Sequence, residues 1–195
     1  MAASVLASGT RAVLRDPRPS DADRWVYWRD HGVWREYDAP WEALRPPLTA
    51  EQQQQTHRSF IDRCSDAHPS PRANAIVATT EGVPVGTVNR CGEKRFPDAW
   101  YVGISICEDA CLNQGIGSDA LALWVDYLFA HSDVHRIGLR TYSFNERMMR
   151  VAEKVGFARE AVERELILWR GEWLDRVSYG MLRGEWEGRR ANATG

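Results

Sequence analysis

Leu112-Asn113-Gln114-Gly115-Ile116-Gly117-Ser118 is the stretch on which the reading of this chain turns. Two glycines stand one residue apart. Behind them Leu121, Trp124, Val125 and Leu128 recur at i, i+3, i+4 and i+7, the apolar stripe of a helix over about 117–131. Ahead of them Trp100 to Ile106 is a β-rich run. The pattern is therefore strand, glycine loop, helix. Glycines let backbone N–H groups approach a ligand with no Cβ in the way. The start of the helix adds unpaired donors and partial positive charge. Together these suit a phosphate or diphosphate, and Ser118 adds a hydroxyl at the helix mouth.

Gly-x-Gly alone does not name a fold. A Rossmann loop follows the first strand of successive βα units, with Ala120 needed here as the third small residue. In this chain the loop follows three antiparallel-looking β runs: Ala73–Thr80, Val83–Asn89 and Trp100–Ile106. A P-loop needs Lys after its last glycine, and none follows Gly117.

Upstream, Ala12 to Arg15 reads as a short strand. Ser20 opens a helix that runs to about Asp30. Residues 31–47 are loop-like, and Thr49 with Gln52 forms a capping box for a second helix to about Cys64. Downstream, Arg136–Thr141 alternates as a strand. Asn145 is an N-cap, Met148, Val151, Ala152 and Val155 keep helical spacing, and Gly156 stands where a left-handed C-cap belongs. Two strands, about 161–169 and 173–181, close the chain across Arg170-Gly171-Glu172, and Gly188–Gly195 reads as a disordered polar tail. The order predicts one α/β (α+β) domain over residues 1–187, a mixed sheet with helices on its faces.

The segment 101–182 resembles the conserved half of the GNAT acetyltransferase superfamily. That family's cofactor motif, Gln/Arg-x-x-Gly-x-Gly/Ala, falls on Leu112 through Gly117, with Leu112 departing at the first position. Its second motif falls on Asn145 through Glu153-Lys154-Val155-Gly156-Phe157. Gly171-Glu172-Trp173 with Asp175 and Val177–Gly180 is similar to the ribosomal-protein N-terminal acetyltransferase (Rim-type) branch. The resemblance implies a mostly antiparallel seven-stranded sheet, splayed between strands 4 and 5, with helices on both faces. It implies acetyl-CoA as co-substrate, held by Leu112, Asn113, Gln114, Gly115, Ile116, Gly117 and Ser118. The backbone of Ile104, Ser105 and Ile106 would take the pantetheine arm, and Asn145 would contact that arm or the thiol. A backbone amide would polarise the thioester carbonyl. The acceptor, a primary amine of a small molecule or of a peptide or protein N-terminus, would attack directly in a ternary complex.

The proton-transfer groups depart from the resemblance. The family's frequent acidic Tyr falls on Ala152, the branch's Ser on Met148 and its strand carboxylate on Ile167. Glu165, two residues before Ile167, would share its face in a regular strand and is the candidate base. Tyr142 and Ser143 are candidate acids. The alternative function is a non-catalytic acyl-CoA-binding sensor or partner module, which Ala152 keeps open.

Nine tryptophans are unusual, and Trp25, Trp28, Trp34 and Tyr37 cluster near the start. They are either a packed helix face or an aromatic wall on the substrate side. The net charge of −2 gives no basic footprint for nucleic acid. The sequence has no run of about 18 apolar residues to span a membrane and no signal-peptide pattern, so a cytoplasmic protein is expected. Cys107 and Cys111 lack further soft ligands nearby, so the four cysteines read as thiols and no metal is expected. The resemblance also admits a homodimer.

Overall fold

The computed structural model describes residues 4–39, 41, 44–66, 69–92 and 94–193, and of Asp38 and Ala193 the backbone alone. Eight strands lie in the order β1-β2-β3-β4-β5-β6-β8-β7. They are β1 (Val5–Ser8), β2 (Val13–Arg15), β3 (Asn74–Ala78), β4 (Pro84–Gly92), β5 (Ala99–Ile106), β6 (Arg136–Tyr142), β7 (Ala158–Trp169) and β8 (Glu172–Leu182). Six helices are described: α1 (Ala22–Asp30), α2 (Trp34–Asp38), α3 (Ala50–Cys64), α4 (Ile116–Ala130), α5 (Glu146–Val155) and α6 (Arg183–Ala193). The sheet is mixed and mostly antiparallel, with β5 and β6 parallel. The fold class stands, but the strand count is eight rather than seven. The added strand is β1, whose four residues carry too short a pattern to declare themselves.

Contacts gather the chain into two compact units, residues 1–89 with 104–127 and residues 90–103 with 128–195. In the first unit β1, β2, β3 and the start of β4 carry a core of Leu14, Val77, Val85 and Val88, all essentially inaccessible. The stripe of α4 is buried as its spacing predicts, with Leu121 and Trp124 at 0% exposure. The Trp124 indole donates to the Asn89 carbonyl at 3.0 Å, which satisfies the one polar atom this large side chain carries inward. Asp21 receives a two-pronged bond from buried Arg15 at 2.7 and 2.8 Å. Such a pair offsets the desolvation of each charge only because both are matched. The Thr49–Gln52 capping box of α3 is formed in both directions.

In the second unit β6, β8 and β7 form an antiparallel ladder over Ile137, Leu139, Val177, Tyr179 and Met181, all buried. The β7–β8 turn is the two residues Arg170 and Gly171, both at positive φ (49° and 87°), the hairpin geometry that keeps the strand twist. Asn145 caps α5 by accepting from Met148 N at 3.0 Å, and Gly156 ends it at φ 102°. The Arg183 guanidinium donates to the carbonyls of Phe129, Ser132 and Val134, a cation set at the end of α4.

Residues 31–47 are not all loop, since Trp34–Asp38 is helical. Gly188 to Ala193 is not a disordered tail but the second half of α6, which extends β8 and shares no strong apolar period that would have marked it.

Candidate functional site

The glycine loop sits in the first unit between β5 and α4. Its backbone alternates: Asn113 has φ 60° and Gly115 φ 80°. Left-handed residues separated in this way turn successive N–H groups to one side, an anion-binding concavity. Asn tolerates the left-handed region better than most residues, and glycine does so freely. The conformation explains why position 115 is glycine. Position 117 has no such constraint, for a Cβ there would meet only Ile106 Cγ1 at an ordinary 3.5 Å. Ile116 is buried, while Gly115, Gly117 and Ser118 are half-buried and Asn113 and Gln114 exposed. The loop thus keeps an accessible face on a buried anchor.

The first turn of α4 is clamped by the turn between β1 and β2. The Asp119 carboxylate accepts from the backbone N–H of Arg11 at 2.7 Å and of Ala12 at 2.9 Å. Gly9 passes so close that a Cβ would lie 2.4 Å from Asp119 Oδ2. Arg11 itself donates through Nη1 to the Gln114 carbonyl at 3.2 Å. These contacts were not read from the sequence, because the turn and the loop are more than a hundred residues apart.

Ile104, Ser105 and Ile106 are half-buried at the end of β5. The parallel ladder of β5 with β6 comprises Ala99, Trp100 and Tyr101 and stops there. The strand end is fixed to β4 instead: Cys107 N donates to the Val85 carbonyl at 2.8 Å, and Gly86 leaves room for the Ser105 carbonyl, 2.1 Å from where a Cβ would stand.

Two carboxylates that follow β5 were also missed. Glu108 accepts from the Trp28 indole at 2.7 Å and from Arg24 at 2.9 Å. Asp109 accepts from the Val33 backbone at 2.9 Å, just ahead of α2. Their sequence signal was only an acidic pair after a β run. Burial, then the Glu108 carboxylate, pushes the nearby Cys111 thiol up.

The aromatic cluster divides. Trp25 packs on Phe60 at 5.3 Å beside the core of Ala22, Phe60 and Ile76, and Trp28 is 2% exposed. Both take the packing role. Trp34 is half-buried with its indole on the His31 carbonyl at 3.1 Å, and Tyr37 is half-buried.

In the second unit, Asn145 is 9% exposed and occupied as a helix cap. Tyr142 stacks on Phe144, and the Ser143 hydroxyl accepts from Asp175 N at 3.1 Å. Ala152 is fully buried. Glu165 does not lie in a regular strand, as its selection assumed. The β7–β8 register shifts between Glu163 and Ile167, Glu165 has φ 51°, and its N–H is held by Asp175 Oδ1 at 2.9 Å. A bulge re-aims side chains, so alternation no longer gives it the face of Ile167. Among the described residues no cluster of three His, Cys, Asp or Glu is placed to hold a metal. No described helix is long and apolar enough to cross a membrane.

The model of the acetyltransferase (GNAT) domain matches residues 11–158. The chain belongs to the GNAT acetyltransferase family. Among curated relatives of this GNAT chain, the SPbeta prophage-derived uncharacterized N-acetyltransferase YokL of Bacillus subtilis is 28% identical over 97 residues, 50% of this chain and 53% of that protein. The probable N-acetyltransferase YjcK of the same organism is 39% identical over 62 residues, 32% of this chain and 34% of that protein. The GNAT chain thus spans about half or less of the curated relatives it matches. The fold is shared with a GNAT acetyltransferase of Bacillus anthracis at TM-score 0.69 and 22% identity, covering 91% of this chain and 98% of that one. It is shared also with RimL, the ribosomal L7/L12 α-N-protein acetyltransferase solved with coenzyme A, at TM-score 0.68 and 15% identity, covering 92% and 98%. A spermidine N-acetyltransferase of Vibrio cholerae solved with CoA and spermine gives TM-score 0.68 and 16% identity, covering 92% and 99%. The Rim type is one of several structural neighbours of this GNAT chain.

Proposed function

We propose that this chain transfers an acetyl or other acyl group from acetyl-CoA to a primary amine, by direct attack in a ternary complex. The observation that carries the reading is the loop Asn113–Gly117, left-handed at two positions and opening α4. Its N–H groups would bind the diphosphate of the cofactor. Ile104 to Ile106, in the same unit, would present backbone groups to the pantetheine arm and an amide to the thioester oxygen. Placement of amine against thioester supplies most of the acceleration, so a strong acid in the protein is not required. Solvent takes the amine proton, and Ser143 or Tyr142 remains the candidate donor to the thiolate. Glu165 is given no part. The acceptor is a small amine or a protein N-terminus, the two classes named for the solved neighbours.

A second reading, an acyl-CoA-binding module without turnover, rests on Ala152: it is fully buried and has no group to give a proton. One experiment separates the two. Thiol release from acetyl-CoA is followed with a panel of polyamines, aminoglycosides and short peptides. Turnover with at least one acceptor, above the acceptor-free rate, is expected. Saturable cofactor binding without turnover across the panel would favour the binding module.

A further inference from the structure

The cradle has donors but no positive side chain of its own. Positions 112–118 carry no Lys or Arg; of the acids beside them in sequence, Glu108 is paired with Arg24 and Asp119 accepts from the backbone of Arg11 and Ala12. A cofactor that bears several phosphate charges would find no cation within the loop itself. One cation is brought to this place from a distance. Arg11 reaches the loop with Nη1 on the Gln114 carbonyl at 3.2 Å, and its Cδ lies 3.2 Å from where a Cβ of Gly115 would stand. Its own backbone N–H is held by Asp119, so the flexible side chain starts from a fixed point beside the loop. The side chain is on an exposed segment, and only one of its five N–H donors has a partner among the described residues.

Resting on the acetyl-CoA reading above, we infer that Arg11 is a cofactor-binding residue: it supplies the cation that the glycine loop lacks and bonds the diphosphate of CoA. The position beside Gly115 favours the diphosphate over the 3′-phosphate. The N–H concavity that would hold the diphosphate is built around that residue, and the free guanidinium donors lie at its edge. A planar fork on a phosphate gives charge-assisted bonds, stronger than neutral ones. Leu112, where the family motif has Gln or Arg, is then offset by a residue from another turn of the chain.

The test uses the full chain with Arg11→Gln and Arg11→Lys, titrated by calorimetry with CoA and with dephospho-CoA. Arg11→Gln is expected to weaken both about tenfold, with Arg11→Lys between it and the native chain. The native affinity should fall with added NaCl more steeply than that of Arg11→Gln. Melting temperatures within a degree or so confirm that both variants fold. Equal affinities for native and Arg11→Gln would overturn the inference, and so would a salt dependence unchanged by the substitution, which marks a role in shaping the loop alone. Loss for CoA but not for dephospho-CoA would overturn the diphosphate assignment and put Arg11 on the 3′-phosphate. If the native chain binds neither ligand, the cofactor reading itself fails. If it binds both and Arg11→Gln binds them equally well, only the role of Arg11 fails.

Discussion

Replacing Gly115 and Gly117 separately by alanine should move stability in opposite directions. Gly115 has φ 80°, a conformation that disfavours any Cβ by about 1–2 kcal/mol. The new Cβ would also meet Arg11 Cδ at 3.2 Å, but that side chain is flexible and exposed and can give way. Gly117 carries no such angle and lies inside the first turn of α4, with only Ile106 Cγ1 at 3.5 Å. Alanine there removes backbone freedom from the unfolded chain and favours helix, a gain of about 0.5–1 kcal/mol. The two variants should therefore differ by about 1.5–3 kcal/mol. For a chain of this size each kcal/mol moves the melting temperature by about 2–4 °C. Calorimetric or circular-dichroism melts would read a rise for Gly117→Ala, a fall for Gly115→Ala and a separation of at least about 3 °C. Cofactor affinity should survive in Gly117→Ala, since the family motif accepts Gly or Ala at that place. Equal shifts, or a destabilised Gly117→Ala, would refute the assignment of Gly115 as the one glycine of the pair that the backbone requires.

Asn145→Ala removes the cap on Met148 N and should lower stability by about 1 kcal/mol, while Asn145→Asp, an equivalent cap, keeps most of it. Urea melts of the two variants read this directly, and a silent Asn145→Ala would show that the cap contributes nothing. Burial raises the thiol pKa of Cys111 and Cys64, so at any pH below it each holds less thiolate than an ordinary cysteine. Iodoacetamide at pH 8, followed by peptide mass mapping, should label exposed Cys91 first. Labelling of Cys111 should keep accelerating above pH 9, and Cys111 reacting as fast as Cys91 would contradict the assignment.

Much of this was legible in the sequence where a local rule fixes local geometry. The stripe of α4, the Thr49 box, the Asn145 cap and the Gly156 stop each depend on residues within one or two turns, and all are found. The loop 112–118 was readable for the same reason. What was hidden depends on contacts between distant segments. Arg11 reaches Gln114 across a hundred residues, and Glu108 gathers Trp28 and Arg24 through tertiary placement. Glu165 misled because strand alternation assumes an even register. The bulge held by Asp175 breaks that register, and no residue type in β7 announces it. Trp25 and Trp28 could be read as wall or core until Phe60 and Glu108 were seen beside them.

The proposed function rests on acyl-CoA binding by the loop Leu112–Ser118. Calorimetric titration of acetyl-CoA into the native chain and into Gly115→Trp tests it most directly. Saturable, one-to-one binding by the native chain is expected in the range typical of enzyme substrates, about 1 µM to 1 mM. That binding is expected to be lost in a Gly115→Trp variant that still melts cooperatively. Absence of heat from the folded native chain at about 1 mM acetyl-CoA, or unchanged binding in Gly115→Trp, would contradict it.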